Sequence, residues 1–318
     1  MNLFDFLKKF PDEQTCRTYL KDLRQKQGII CDSIDKVTGE ICGCTKHYWL
    51  ENVEKFQCSE CSSRTNLKSG TMFFKSKISL QKWFMCIHLM TTTKKPFSCL
   101  ELQRQLGFKR YEPVWDMMRK IRLSMGERDS QYQLEGEMEI DEGFFEIVNL
   151  PKKDRLGNVI EEKKELKRGR GSENKSKVLV ICESKPREQT KKHQKNRELG
   201  YVKMIVMDDL TSVGINYEVG KSVEEGSHII SDNFRGYSRL LDVVSKHTPM
   251  TVPPKESMTK LPWVHTVISN CKRELLGTHH SIGKEYLQTY LNEFCYKLNR
   301  RNFETDLFDR MLLCGIQK

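Results

Sequence analysis

Residues 137–147 read Glu-Met-Glu-Ile-Asp-Glu-Gly-Phe-Phe-Glu-Ile. Acidic and apolar side chains alternate through the first half, the period of a half-buried β-strand. That period puts Asp141 on the same side as Glu137 and Glu139. Downstream, KVLVICES (177–184), YVKMIVMD (201–208) and HIISD (228–232) are further runs of strand length, the last ending in Asp232. A helical stretch from about Val213 to Glu225 separates the third and fourth strands. Another strand, TPMTV (248–252), precedes a helix beginning near Pro262. Three strands in succession followed by β–α alternation predict an α/β (α+β) domain, a mixed sheet flanked by helices. Asp141 in the middle of the first strand and Asp232 at the end of the fourth can converge if those strands are neighbours. Converging carboxylates offer the hard oxygens that Mg²⁺ prefers, and a pair of such ions can flank the attacking and leaving oxygens of phosphoryl transfer. Asp208 and Asp209, at another strand end, are the alternative to Asp232.

Upstream of the sheet the period changes to that of helices. Leu80, Trp83, Phe84, Ile87 and Leu89–Met90 form an apolar stripe that ends near the TTTKKP breaker. Ser98 is placed to cap the next helix, SCLELQRQLG, with Glu101 three residues on completing a capping box. After the turn FKR a third helix is expected from about Tyr111 to Met125, with Val114, Met118, Ile121 and Met125 on one face. Two helices joined by so short a turn match the helix-turn-helix pattern. Lys109, Arg110, Arg119, Lys120 and Arg122 would lie on or near its outer side, suited to a DNA backbone.

Six of the twelve cysteines lie between positions 16 and 61. Cys58-Ser-Glu-Cys61 is a C-x-x-C knuckle, whose tight turn lets two thiolates reach one tetrahedral Zn²⁺. The expected second pair is Cys31 with Cys42, Cys44 being the substitute for Cys42. The ten residues between Cys31 and Cys42 depart from the usual two-residue gap. KHYWLENV (46–53) and NLKSGTMFF (66–74) are expected as short strands around the knuckles, as in a zinc ribbon. The remaining cysteines sit singly in apolar settings and are expected in cores.

The chain has 318 residues and a net charge of +11, with a mean hydropathy of −0.61. No apolar run approaches the roughly 18 residues needed to span a bilayer. The N-terminus, MNLFDFLKKFPDEQ, carries acids where a secretory signal needs an apolar core. A membrane or secreted protein is therefore not expected, and a basic cytoplasmic protein with a nucleic-acid partner is. Residues 151–200 hold 16 Lys or Arg against 8 Asp or Glu, so eight of the eleven net charges fall there. Basic arms of this kind add affinity for a phosphate backbone without sequence preference.

Taken in order, CGCTKHYW, the CSEC knuckle with SGTMFFKSKISLQKWF, LMTTTKKPFSCLELQRQLG and EIDEGFF carry a family likeness. KRGRGSENKSKVLV, ISDNFRGYSRL, LPWVHTVISNCKRELLGTHHSI and YLNEFCYKLNRR extend it. From about residue 28 to 310 the chain resembles bacterial insertion-sequence transposases of the ISXO-like group. The resemblance implies a zinc ribbon followed by a DDE-type, ribonuclease-H-like catalytic domain. The implied organisation is an N-terminal helical segment (1–27), a zinc ribbon (28–76), a helix-turn-helix-like unit (77–127), the catalytic domain (128–302) and a C-terminal tail (303–318). It implies metal-dependent DNA cleavage and strand transfer at terminal inverted repeats, with two Mg²⁺ (or Mn²⁺) at the catalytic site and one structural Zn²⁺. It also implies a nucleoid-associated bacterial protein that assembles as a homo-oligomer on double-stranded DNA.

By the same resemblance Asp141 and Asp232 correspond to the first two catalytic acids. The third position departs from the pattern, because no Glu stands where the helix from Pro262 would offer one. His265, with Lys272 following it, occupies the place of the usual Glu, whereas part of the group is described with an Asn, here Asn270. Val264, Val267, Ile268, Cys271 and Leu275 make the buried stripe of that helix. At about 100° per residue, His265 and Lys272 flank one side of the stripe while Asn270 and Glu274 flank the other. One pocket cannot easily receive both sides, and His265 with Lys272 is preferred. Two other classes fit parts of the pattern: a transposase-derived DNA-binding regulator without catalysis, and a hydrolytic DNA nuclease.

Overall fold

The computed structural model describes residues 1–34, 38–148, 152–153, 159–161, 174–188, 196–251, 260–280, 282–303 and 306–316. They fall into two compact units, residues 125–302 and residues 1–124 with 303–318.

The unit 125–302 is a mixed α/β domain. Its sheet runs β10 (Lys246–Met250), β9 (His228–Asp232), β4 (Glu137–Glu146), β7 (Lys175–Pro186) and β8 (Arg197–Met207). A small antiparallel pair, β5 (Lys152–Lys153) with β6 (Val159–Glu161), lies outside it. β4, β7 and β8 pair antiparallel, whereas β9 and β10 join the other edge parallel. The parallel crossover is made by α6 (Ser212–Ser222), which Thr211 caps by accepting the Gly214 N–H. The central strands are buried on both faces, which is why β7 reads as the continuous apolar run Val178–Cys182. Val178, Val180 and Cys182 pack with Phe145 under α7 (Pro262–Thr278) and α8 (Lys284–Asn299). Leu179 and Ile181 face the other way, with Met138 and Ile140, onto Ile215 and Val219 of α6.

The strands expected at 137–147, 177–184, 201–208 and 228–232 are all present, and β8 begins four residues before its expected start. The helix expected over 213–225 stops at Ser222, because Leu134 forms an isolated parallel bridge with Val223 and its N–H donates to the Ser222 carbonyl. Position 252 of the TPMTV strand lies outside the described residues. So do positions 151, 154–158, 162–173 and 189–195 of the basic segment.

The other unit holds α1 (Leu3–Lys9), α2 (Glu13–Gln27), β1 (His47–Leu50), β2 (Lys55–Cys58), β3 (Arg64–Asn66), α3 (Leu80–Thr92), α4 (Cys99–Gln105) and the start of α5 (Glu112–Ser130). Ser98 caps α4 by accepting the Glu101 N–H at 3.2 Å, as the sequence suggests. The β1–β2–β3 sheet is antiparallel. NLKSGTMFF is not a strand beyond Asn66: the chain turns at Gly70, which takes φ +66°. Thr71 then donates to the Lys68 carbonyl, bending the segment away from the ladder. Within the C-terminal stretch, α9 (Leu307–Ile316) buries Phe308 among Phe6, Phe10 and Phe84.

Candidate acidic centre and cysteine quartet

The register of β4 and β9 sets the acidic centre. Their last matched pair is Ile140 with Ser231, so Asp141 and Asp232 follow side by side on neighbouring parallel strands. Strand alternation turns both toward the face covered by α7. There His265 approaches Asp141, with Nδ1 3.2 Å from Oδ2. Burial is the main cause that pushes Asp141 up to about 6, and the charge of Asp232 adds to it. Burial also lowers His265 below its ordinary value, so its neutral form is favoured beside the acids. Lys272 is depressed by burial and by Lys175, and its ammonium lies 5.4 Å from the Phe145 ring centre.

Asn270 goes elsewhere. Its Oδ1 accepts from Arg273 at 2.6 Å, and it lines a groove with Arg187, Arg197 and Arg301. The buried residues of α7 are Pro262, Val264, Val267, Ile268, Cys271 and Leu275, so helix rotation separates Asn270 from His265. Asp208 is almost fully exposed, with a lysine, Lys284, 3.5 Å away. Asp209 is taken up by the N–H and hydroxyl of Thr211. Neither stands in register with Asp141.

Two residues near the centre give no catalytic signal in the sequence. Glu139, 1% exposed, accepts the backbone N–H groups of Trp263 and Val264 at 2.7 and 2.9 Å and the Ser184 hydroxyl at 2.5 Å. It is the N-cap of α7, supplied from β4, because Leu261 at the cap position has no acceptor of its own. A helix opening with Pro262 but no Ser, Thr, Asp or Asn before it is the signal for such a borrowed cap. Glu142 lies on the opposite face, where the buried Tyr237 hydroxyl donates to it at 2.9 Å. Burial, then the charge of Asp141, raises Glu142 to about 7.

In the other unit the sulfurs of Cys31, Cys42, Cys58 and Cys61 all lie within 4.8 Å of one another. Cys31 and Cys61 are 3.4 Å apart, and Cys42 and Cys58 are 3.8 Å apart. Tetrahedral Zn–S bonds of about 2.3 Å require sulfur separations of about 3.8 Å, so the donor set fits Zn²⁺. Antiparallel pairing of the residues at the two ends of the long gap brings Cys31 and Cys42 together. Ile34 bridges Ile41, the Cys42 N–H donates to Ser33, and the Gly43 N–H donates to Cys31. Gly43 and Ser62 take the positive φ that the two knuckle turns need. Cys44 stays outside the quartet, with its sulfur against Ser59 and the backbone of Lys46. The Ser63 N–H pulls Cys61 down to about 7, whereas burial holds Cys31 up at about 12.

Residues 133–299 match the model of the ISXO2-like transposase domain, more than half of the chain, and the chain belongs to that transposase family. Over 297 residues, 91% of either protein, it is 23% identical to an uncharacterized protein in transposable element ISH50 of Halobacterium salinarum. The family likeness read from the sequence motifs is therefore borne out. Among solved structures, a pre-cleavage Mos1 transpososome aligns at a TM-score of 0.29 and 10% identity, over 73% of this chain and 78% of that one. A Mos1 mariner paired-end complex with Mn aligns at 0.30 and 12%, over 76% and 88%. Overlays this loose assign neither a fold nor a residue. Among the described residues no helix is long and apolar enough to cross a membrane.

Proposed function

We propose that this chain is a DDE-type transposase that cleaves DNA at the ends of an insertion sequence and joins the freed 3′ ends to target DNA. The observation that carries the reading is the side-by-side placement of Asp141 and Asp232 on neighbouring strands, beside His265. The charge of Asp232 opposes ionisation of Asp141, and a divalent cation between them relieves that repulsion. Asp141 and Asp232 would hold Mg²⁺ or Mn²⁺, whose contribution is to activate the attacking oxygen and stabilise the leaving one. The sheet order supports the reading too: three antiparallel strands extended by two parallel ones at the first strand is the arrangement of a ribonuclease-H-like domain.

The chain's own residues have separate jobs. Glu139 fixes where α7 begins, so that His265 meets Asp141. His265, neutral at physiological pH, orients Asp141 or accepts a proton from the attacking water. Lys272 pairs with a phosphate on the same flank of α7. We assign Asn270 no part in the acidic centre. Cys31, Cys42, Cys58 and Cys61 would hold one structural Zn²⁺. The ribbon (28–76) and the helix-turn-helix-like segment (77–127) would read terminal repeats on duplex DNA, as a homo-oligomer bound to paired ends, at the nucleoid.

The test supplies a pre-cut 3′-OH end with a supercoiled target and Mg²⁺. A transposase yields joined product. Cleavage without joining would indicate a nuclease, and binding without either reaction would indicate a regulator.

A further inference from the structure

A second surface of the domain 125–302 remains after the acidic centre is assigned. Along the other flank of α7, between that helix and the β7–β8 end of the sheet, runs a groove of about 510 Å³. Among the described residues Arg187, Arg197, Arg301, Trp263, Thr266 and Asn270 line it, with Glu198 the one carboxylate among them and Arg197 already paired with Glu137.

The guanidiniums are held differently. Arg197 is fixed by Glu137 at 2.6 Å and by the Ser184 hydroxyl at 2.7 Å. Arg301 donates to the carbonyls of Leu298 and Leu199, which fixes its position without neutralising its charge. The exposed Arg187 has no side-chain partner among the described residues. Trp263 donates its indole N–H to the Arg197 carbonyl and so forms a fixed wall. Arg273 extends the positive charge beside Asn270. Pre-positioned guanidiniums beside a polar amide suit oxyanions that can accept two parallel hydrogen bonds, and a DNA backbone presents such singly charged phosphodiesters at regular spacing.

We propose that this groove seats the phosphate backbone of duplex DNA, with Arg187 and Asn270 making the contacts and Arg301 supplying the field, while Arg197, paired with Glu137, shapes the wall. The proposal rests on the transposase reading and deepens it, giving the domain a DNA contact on the flank of α7 away from Asp141. It also gives Asn270 a role in binding rather than in the reaction.

The test measures binding of the full-length protein to a fluorescein-labelled duplex of random sequence, by anisotropy across a salt series. Arg187→Ala should bind at least about threefold more weakly, with a slope of log K against log salt shallower by about 1, and Arg187→Glu should lose more. Asn270→Asp should weaken binding similarly. Arg239→Ala, whose guanidinium pairs with Asp242 outside the groove, should match wild type. Thermal melting of each variant at the wild-type temperature shows that the fold is intact. Unchanged affinity and slope in Arg187→Glu, while wild type binds and joins DNA, would overturn the groove and leave the transposase reading standing. Loss of joining in Asn270→Ala with binding and salt slope intact would also overturn it, by moving Asn270 into the chemistry. A wild-type protein that binds no duplex at any salt would remove both.

Discussion

Asp141 carries an electrostatic cost that can be measured without DNA. Its ordinary value is 3.8 and burial raises it to about 6 in the fold. Between those values the folded chain holds the proton more tightly than the unfolded chain does. Stability is therefore lost as pH rises from about 4 to about 6, by about 1–3 kcal/mol in the absence of a divalent cation. In EDTA at pH 7.5, Asp141→Asn should melt above wild type, and the difference should shrink toward pH 4. Added Mg²⁺ should raise the wild-type melting temperature more than that of the variant. Equal melting of the two proteins at both pH values would contradict the buried-acid assignment. Glu139 predicts the opposite sign. Removing it strands two helix N–H groups and a buried hydroxyl, so Glu139→Ala should destabilise by about 2–4 kcal/mol in urea unfolding. A change within about 0.5 kcal/mol would show that α7 does not depend on this cap.

At the scale of elements, the cysteine quartet and α7 make separate predictions. Purified protein should release one zinc per chain to a chelator after thiol modification, measured by a colorimetric zinc assay. Cys42→Ala should lose that zinc, while Cys44→Ala should retain it; the reverse would exchange their roles. His265→Ala and Asn270→Ala should separate in kind. The first should slow joining with end binding preserved, and the second should weaken DNA binding.

These elements also show what the sequence could reveal. The strands at 137–147, 177–184 and 228–232 were legible because a sheet buried on both faces imposes apolar runs and alternation that short segments cannot hide. The burial of α7 followed directly from its stripe, since 100° per residue fixes which side chains share a face. β2 and β3 were not legible, because four- and three-residue strands in a ribbon are held by their ladder and turn geometry more than by apolar period. The partnership of Glu139 with α7 was hidden because 124 residues separate it from Trp263, and only the missing cap before Pro262 hinted at it. α9 was missed for a related reason: the aromatic residues that bury Phe308 come from the other end of the chain.

For the whole molecule, the two compact units divide the proposed work. Residues 125–302 bring together Asp141 and Asp232, the acids proposed for phosphoryl transfer, and the remainder collects the four cysteines and the helices proposed to read DNA. The net charge of +11 suits the proposed polyanionic substrate. A steep fall of duplex binding with salt is expected for the full chain, and a salt-insensitive affinity would contradict it. The most direct measurement of the central claim compares wild type with Asp141→Ala and Asp232→Ala on pre-cut element ends in Mg²⁺. Both variants should bind the ends with wild-type affinity and give no detectable strand-transfer product; joined product from either variant at the wild-type rate would contradict the assignment.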